Sequence, residues 1–170
     1  EKHDFKTFVL DCADALEPLI WEEVCAENGK SHIAQFSWGK GFDLSHDVWR
    51  EILRGLDALR EIGMTVIVLA HSHVVRFESP ESDGYDRWML RTHKKVSGLI
   101  SDWADAILFA NHETIVKSTT NADRKRGVST GRRVLHTVEN AAWTAKNRYS
   151  MPATIDLSWD AVESAIRKDK

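Results

Sequence analysis

The run Met64-Thr65-Val66-Ile67-Val68-Leu69-Ala70 constrains this chain most, because it is apolar and β-branched at successive positions. Side chains alternate between the two faces of a strand, so a run apolar at both parities has to be covered on both faces. That is the situation of a central strand in a parallel sheet. Polar residues follow at once, as His71-Ser72-His73. The run Thr7-Phe8-Val9-Leu10 likewise ends in Asp11, and Ala106-Ile107-Leu108-Phe109-Ala110 ends in Asn111-His112.

Helical spacing fills the intervals. Leu16, Leu19, Ile20 and Val24 predict a helix after Asp11, with Pro18 near its first turn and Asn28-Gly29 as its stop. A long amphipathic helix is predicted from about Leu44 to Ile62, capped by Asp43 or Ser45, carrying Trp49, Leu53 and Leu56 as core and ended by Gly63. A third runs from about Leu90 to Trp103 with Val96, Leu99 and Ile100 inward. Residues 30–43 and 74–88 read as loops, and 118–133 as a polar, basic hairpin loop. Val134–Val138 and Thr144–Tyr149 read as later strands, and Ser158 as the cap of a terminal helix from Trp159 to about Arg167. The expected fold class is α/β, with a mainly parallel sheet flanked by helices and antiparallel strands at the C-terminal edge. Ligands bind beyond the carboxyl ends of such strands, which gathers Asp11, His71-Ser72 and Asn111-His112 at one edge.

With 170 residues the chain has the size of one domain. Its 23 Lys and Arg against 26 Asp and Glu exclude a globally basic nucleic-acid coat and an acidic disordered chain. Two cysteines, Cys12 and Cys25, make no disulfide framework, read as buried small residues rather than nucleophiles, and suit a reducing cytoplasm. No run approaches the roughly 18–20 apolar residues of a membrane span, and the first residues carry no signal-peptide apolar segment, so no membrane partner is expected.

Asp11 at a strand end fits a carboxylate that holds Mg²⁺ beside nucleotide phosphates, or an Asp that caps the next helix. His71 and His73 share a strand face, which suits a metal, while His71 with Ser72 could equally sense a phosphate or satisfy backbone. Asp11, His71 and His73 together would serve a metal-dependent hydrolase. Gly39-Lys40-Gly41 is not a phosphate loop, and the pattern Gly-x-x-x-x-Gly-Lys-Ser/Thr occurs nowhere in these residues. Arg124-Lys125-Arg126 with Arg132-Arg133 offers either a phosphate contact or a solvated turn. Phe36, Trp38 and Phe42 near Lys40, and Phe77, Tyr85 and Trp88 near Arg76 and Arg87, suit single-stranded nucleic acid, or else aromatics folded onto the core.

The order of these pieces resembles the ATPase core of the RecA superfamily, most closely the phage RecA-like ATPases associated with single-strand annealing and recombination. The match is carried by Phe8-Val9-Leu10-Asp11-Cys12-Ala13-Asp14-Ala15-Leu16-Glu17-Pro18, which looks like a Walker B strand and its turn. It continues through Trp49–Met64, Val66-Ile67-Val68-Leu69-Ala70-His71-Ser72, Ala104–Phe109 and Ala145-Lys146-Asn147-Arg148-Tyr149. The resemblance implies a RecA-like DNA-dependent ATPase using ATP and Mg²⁺, with Asp11 on the magnesium side and His71 with Ser72 as the γ-phosphate sensor. It implies that Lys146 and Arg148 reach a neighbouring subunit's nucleotide in a homo-oligomer. Single-stranded DNA would be the partner of Lys40, Arg76 and Arg87, in a bacterial or phage-infected cell. The family's P-loop strand and helix precede its Walker B strand, so residues 1–170 are expected to be a single truncated RecA-like domain that binds ATP weakly or not at all and does not hydrolyse it efficiently. Glu17 and Asp14 are poor substitutes for the family's catalytic glutamate. A non-catalytic RecA-like assembly or DNA-binding module is the remaining reading.

Overall fold

The computed structural model describes residues 4–78, 83–118 and 125–167. In chain order the elements are β1 (Thr7–Leu10), α1 (Ala13–Glu27), α2 (Lys40–Glu61), β2 (Thr65–Val68), β3 (Ser72–Phe77), β4 (Tyr85–Leu90) and α3 (Lys94–Trp103). They continue with β5 (Ala106–Ile107), β6 (Phe109–Ser118), β7 (Lys125–His136), β8 (Lys146–Asn147), β9 (Thr154–Asp156) and α4 (Trp159–Arg167). The chain forms two compact units, one of Glu1–Val74 with Met89–Trp103 and one of Val75–Trp88 with Ala104–Lys170. The boundaries fall inside β3 and β4, which pair with each other.

In the first unit β1 and β2 pair in parallel, with Thr7 opposite Thr65 and Leu10 opposite Val68. The ladder runs on past both strands, where Leu69 N–H donates to Leu10 at 2.9 Å and Ala13 N–H donates to Leu69 at 2.8 Å. These bonds tie the start of α1 to the segment that leaves β2. Helices α1, α2 and α3 bury one cluster made of Ala13, Ile20, Val24, Trp49, Val96 and Ile100. Their apolar residues recur every three or four positions, which places them on one face of each helix.

Helix α2 begins at Lys40, four residues ahead of Leu44, because Gly39 enters it with φ at 71°. A left-handed residue is cheap only for glycine, and it turns the chain into the helix without a capping side chain. Neither predicted cap acts as one. Asp43 lies in the first turn, and Ser45 is buried inside the helix with its hydroxyl donating to the carbonyl of Gly41 at 2.9 Å. The segment before α2 holds two short 3-10 turns, at Ile33–Gln35 and Ser37–Gly39, and Ile33 and Phe36 pack on the core. A Cβ at Gly41 would lie 2.7 Å from both of those side chains, so glycine is what lets the segment close on α2.

The second unit is antiparallel. Its three-stranded sheet runs β6-β7-β9, and β5 pairs with β8. Val134, Leu135, Thr137, Ala145, Met151 and Ala165 are buried there. Helix α4 starts as predicted, with the Ser158 hydroxyl accepting the Ala161 N–H at 3.2 Å.

The fold is mixed α/β, and the expected mainly parallel sheet narrows to the β1–β2 pair among the described strands. Residues 74–88 were expected as a loop but carry β3 and β4, whose period-two alternation is masked by charged residues; positions 79–82 lie outside the described residues. The basic stretch from Lys125 is strand rather than turn, since β7 runs unbroken to His136, and Arg124 is outside the described residues. Asn111 and His112 do not end a strand. They sit within β6, opposite Val134 and Arg133. Among the described residues no helix is long and apolar enough to cross a membrane.

Candidate functional site

The carboxyl ends of β1 and β2 in the first unit bring polar groups together. Asp11 follows β1, Cys12 is the residue ahead of α1, Asp14 lies in the first turn of α1, and His71 is the third residue after β2. The Asp11–Cys12 peptide bond is cis. Asp14 is the hub. Its side chain is only 2% exposed, and one carboxylate oxygen accepts the backbone N–H of His71 at 2.9 Å. The other accepts Nε and Nη2 of Arg91 at 3.0 and 2.7 Å, and His71 Nδ1 lies 3.2 and 3.1 Å from the two oxygens.

Burial alone would raise the Asp14 pKa. The His71 backbone N–H and the Arg91 guanidinium, joined by Cys12 and the His71 ring, outweigh burial and hold the carboxyl well below the usual carboxylate range. Cys12 Sγ lies 3.7 Å from His71 Nδ1. The Ala15 backbone N–H favours its thiolate, but hydrogen bonding to Asp14, burial and the negative charges of Asp14 and Asp11 prevail and push the thiol upward. The upward direction disfavours the free thiolate that a nucleophile needs, and Cys12 is half-buried rather than buried as expected, while Cys25 is buried.

Three residues along α1, Glu17 is 4% exposed, and both its oxygens accept the backbone N–H of His93, at 3.0 and 2.9 Å. His93 directly precedes α3, where a carboxylate is favoured by the unpaired N–H groups and the helix dipole. Burial nevertheless raises the Glu17 pKa, offset in part by the His93 N–H and reinforced by Asp14. Ionisation of Glu17 thus costs stability as pH rises from its ordinary 4.5 through the raised value. Glu17→Gln keeps one acceptor and is expected to change stability at pH 7 by less than about 1 kcal/mol, whereas Glu17→Ala loses about 1–2 kcal/mol in urea unfolding. Equal losses for both would show that charge, not an acceptor, is what α3 requires. The His93 ring stacks on Phe42 at 4.4 Å, and its pKa is lowered by burial and then by Lys94 and Lys95.

The residues predicted from sequence fall in different places. Asp11 is exposed and makes no hydrogen bond or ion pair among the described residues, and Ser72 starts β3, exposed. The ligand atoms that the described residues bring within 4.8 Å belong to Cys12, Asp14 and His71, rather than to Asp11, His71 and His73. In the second unit Lys146 lies in β8, and Arg148 Nη1 is 2.9 Å from Asp105. Arg76 is paired with Glu78 and Asp86. Arg87 is largely buried, its guanidinium taken by Glu139 and the carbonyl of Trp143 and lying over the Phe77 ring. Of the aromatics near Lys40, Phe36 and Phe42 are packed inward, and Trp38 stands fully exposed.

Sequence reasoning missed Asp14 as the hub and missed Arg91 entirely. The signal available was on α1, where the inward positions Ala13, Asp14, Glu17, Ile20 and Val24 include two acids. Carboxylates on a buried helix face require donors, and these come from the far side of β2 and from the turn before α3.

A family model described as an AAA domain matches residues 1–149. Neither a curated protein nor a solved structure shows a significant match to the chain.

Proposed function

We propose, from the premise that this chain belongs to the AAA domain family, that the ends of β1 and β2 form the magnesium and sensor side of its ATP site. An ATPase-type domain of this kind depends in general on ATP and Mg²⁺. The observation that carries the proposal is the contrast between two neighbouring carboxylates. Asp14 has its oxygens filled by N–H donors, while Asp11, at the strand end, is exposed and has none. A hard divalent cation that keeps several waters fits an open carboxylate, so Asp11 is the residue that would hold Mg²⁺. Mg²⁺, when bound, offsets charge on the β- and γ-phosphate oxygens.

The chain's own groups do the rest. Asp14 fixes His71 through its backbone N–H and through Nδ1, which leaves Nε2 for the ligand side, where in protonated form it donates to a phosphate oxygen. Ser72 adds a hydroxyl beside it. Lys146 and Arg148 act in trans on a neighbouring subunit's nucleotide, Arg148 exchanging Asp105 for phosphate oxygens, so that turnover depends on assembly. The finer reading is a phage-type RecA-like ATPase that acts on single-stranded DNA in recombination or annealing. Its support is the exposed Trp38 two residues from Lys40, a ring for base stacking beside a cation for the backbone.

Asp11→Asn keeps the size of the side chain and removes the charge. Binding of Mn²⁺, as a stand-in for Mg²⁺, in the presence of millimolar ATP is expected to weaken at least tenfold in this variant, with thermal stability unchanged. An unchanged affinity would remove Asp11 from the metal side and with it the proposed site.

A further inference from the structure

The same strand ends carry a second set of donors that Mg²⁺ does not use. Cys12 Sγ, a carboxylate oxygen of Asp14 and His71 Nδ1 all lie within 4.8 Å of one another. The sulfur is 3.7 Å from Nδ1, and Nδ1 is 3.1 and 3.2 Å from the two carboxylate oxygens. A tetrahedral Zn²⁺ with bonds of about 2.3 Å to sulfur and about 2.0–2.2 Å to nitrogen and oxygen separates its ligand atoms by roughly 3.3–3.6 Å. The spacings from Nδ1 to the sulfur and to the carboxylate oxygens lie close to those edges, and the sulfur-to-oxygen spacing is within 4.8 Å, so a metal enters by side-chain shifts alone.

We propose that Cys12, Asp14 and His71 form a three-ligand site for a borderline divalent metal, Zn²⁺ by its chemistry, with the fourth position open to solvent. Thiolate and imidazole select such a metal over Mg²⁺, which demands oxygen donors. The donors sit on a fixed backbone: Ala13 N–H to Leu69 and His71 N–H to Asp14 lock the two segments together. Arg91 grips one oxygen of Asp14, and the other, which accepts the His71 N–H through one lone pair, has its second lone pair for the metal; such outer contacts orient a ligating carboxylate. His71 is 64% exposed in its side chain, so solvent reaches the open position. Metal on Nδ1 also fixes the ring proton on Nε2, making His71 an N–H donor in its neutral form. That consequence rests on the phosphate-facing role proposed above; the metal site itself does not.

The test is titration of the reduced, metal-stripped protein with Co²⁺, followed by absorption. The expected result is a thiolate-to-cobalt charge-transfer band that saturates at one equivalent, is displaced by Zn²⁺, and survives Cys25→Ser. Cys12→Ser should abolish the band, and His71→Ala should weaken Co²⁺ binding at least tenfold, with circular dichroism confirming that both variants fold. Absence of the band in the unaltered protein, or its persistence in Cys12→Ser, would overturn the proposal. Asp11→Asn should leave the cobalt band intact, so failure of the magnesium site and failure of this one are read separately.

Discussion

Trp49→Ala is expected to remove about 4 kcal/mol of stability, the largest loss from any single side chain in the first unit. Trp49 is 0% exposed and shares one buried cluster with Ala13, Ile20 and Val24 of the α1 region and Val96 and Ile100 of α3. An indole buries about 150–250 Å², worth roughly 4–6 kcal/mol at about 25 cal/mol per Å², and deletion leaves a cavity that three helices cannot close without moving. Its Nε1 has no hydrogen-bond partner among the described residues, so part of that gain is already offset by an unsatisfied donor. Trp49→Phe removes the donor along with some packing and is therefore expected to cost about 1–2 kcal/mol. Urea unfolding followed by circular dichroism separates the two. A small loss for alanine would mean that the cluster collapses around the gap.

Asp14→Asn is expected to cost about 3 kcal/mol at neutral pH, since an amide cannot accept from Arg91 and from His71 with the strength of a buried carboxylate. Arg91→Gln should cost less, about 1 kcal/mol, because the Arg91 side chain is 55% exposed and its charge is partly screened by water. The pH dependence has a definite sign. Asp14 has a folded pKa below its ordinary 3.8, so its contribution is present above that value and is lost as pH falls toward the folded one. The stability gap between the unaltered protein and Asp14→Asn should therefore close as pH drops below about 4, and a gap that stays constant to pH 3 would remove the carboxylate from the account.

Legibility in the sequence followed the physics of each element. Strands β1 and β2 were readable as continuous apolar runs, although the expected burial on both faces is not met, since Thr7–Val9 are exposed and β2 is at most half-buried; the cores of α1 and α2 were readable because burial imposes a period of 3.6 on apolar residues. The start of α2 was not, since Gly39 achieves it by backbone conformation without a capping side chain. The strands β3, β4 and the first half of β7 were hidden because each holds charged residues next to turn-forming ones, Ser79-Pro80 and Asp83-Gly84 between β3 and β4 and Gly127 within β7, and β9 is only Thr154–Asp156. At the site, Asp11 and His71 could be placed from their positions at strand ends. Arg91 could not be found, because its role depends on the chain returning from β4 to the start of α1, a juxtaposition that no local pattern encodes.

The central claim, that Asp11 holds the metal of a nucleotide site at the ends of β1 and β2, is tested most directly by nuclear magnetic resonance with Mn²⁺ in place of Mg²⁺. The experiment uses isotope-labelled protein carrying Cys12→Ser, so that no thiol can hold the ion. With millimolar ATP present, Mn²⁺ should broaden the amide signals of residues 10–14 and 70–73. It should do so weakly or not at all without ATP, and the broadening should disappear when Asp11→Asn is added. Broadening centred on other residues, or unchanged in Asp11→Asn, would contradict the account.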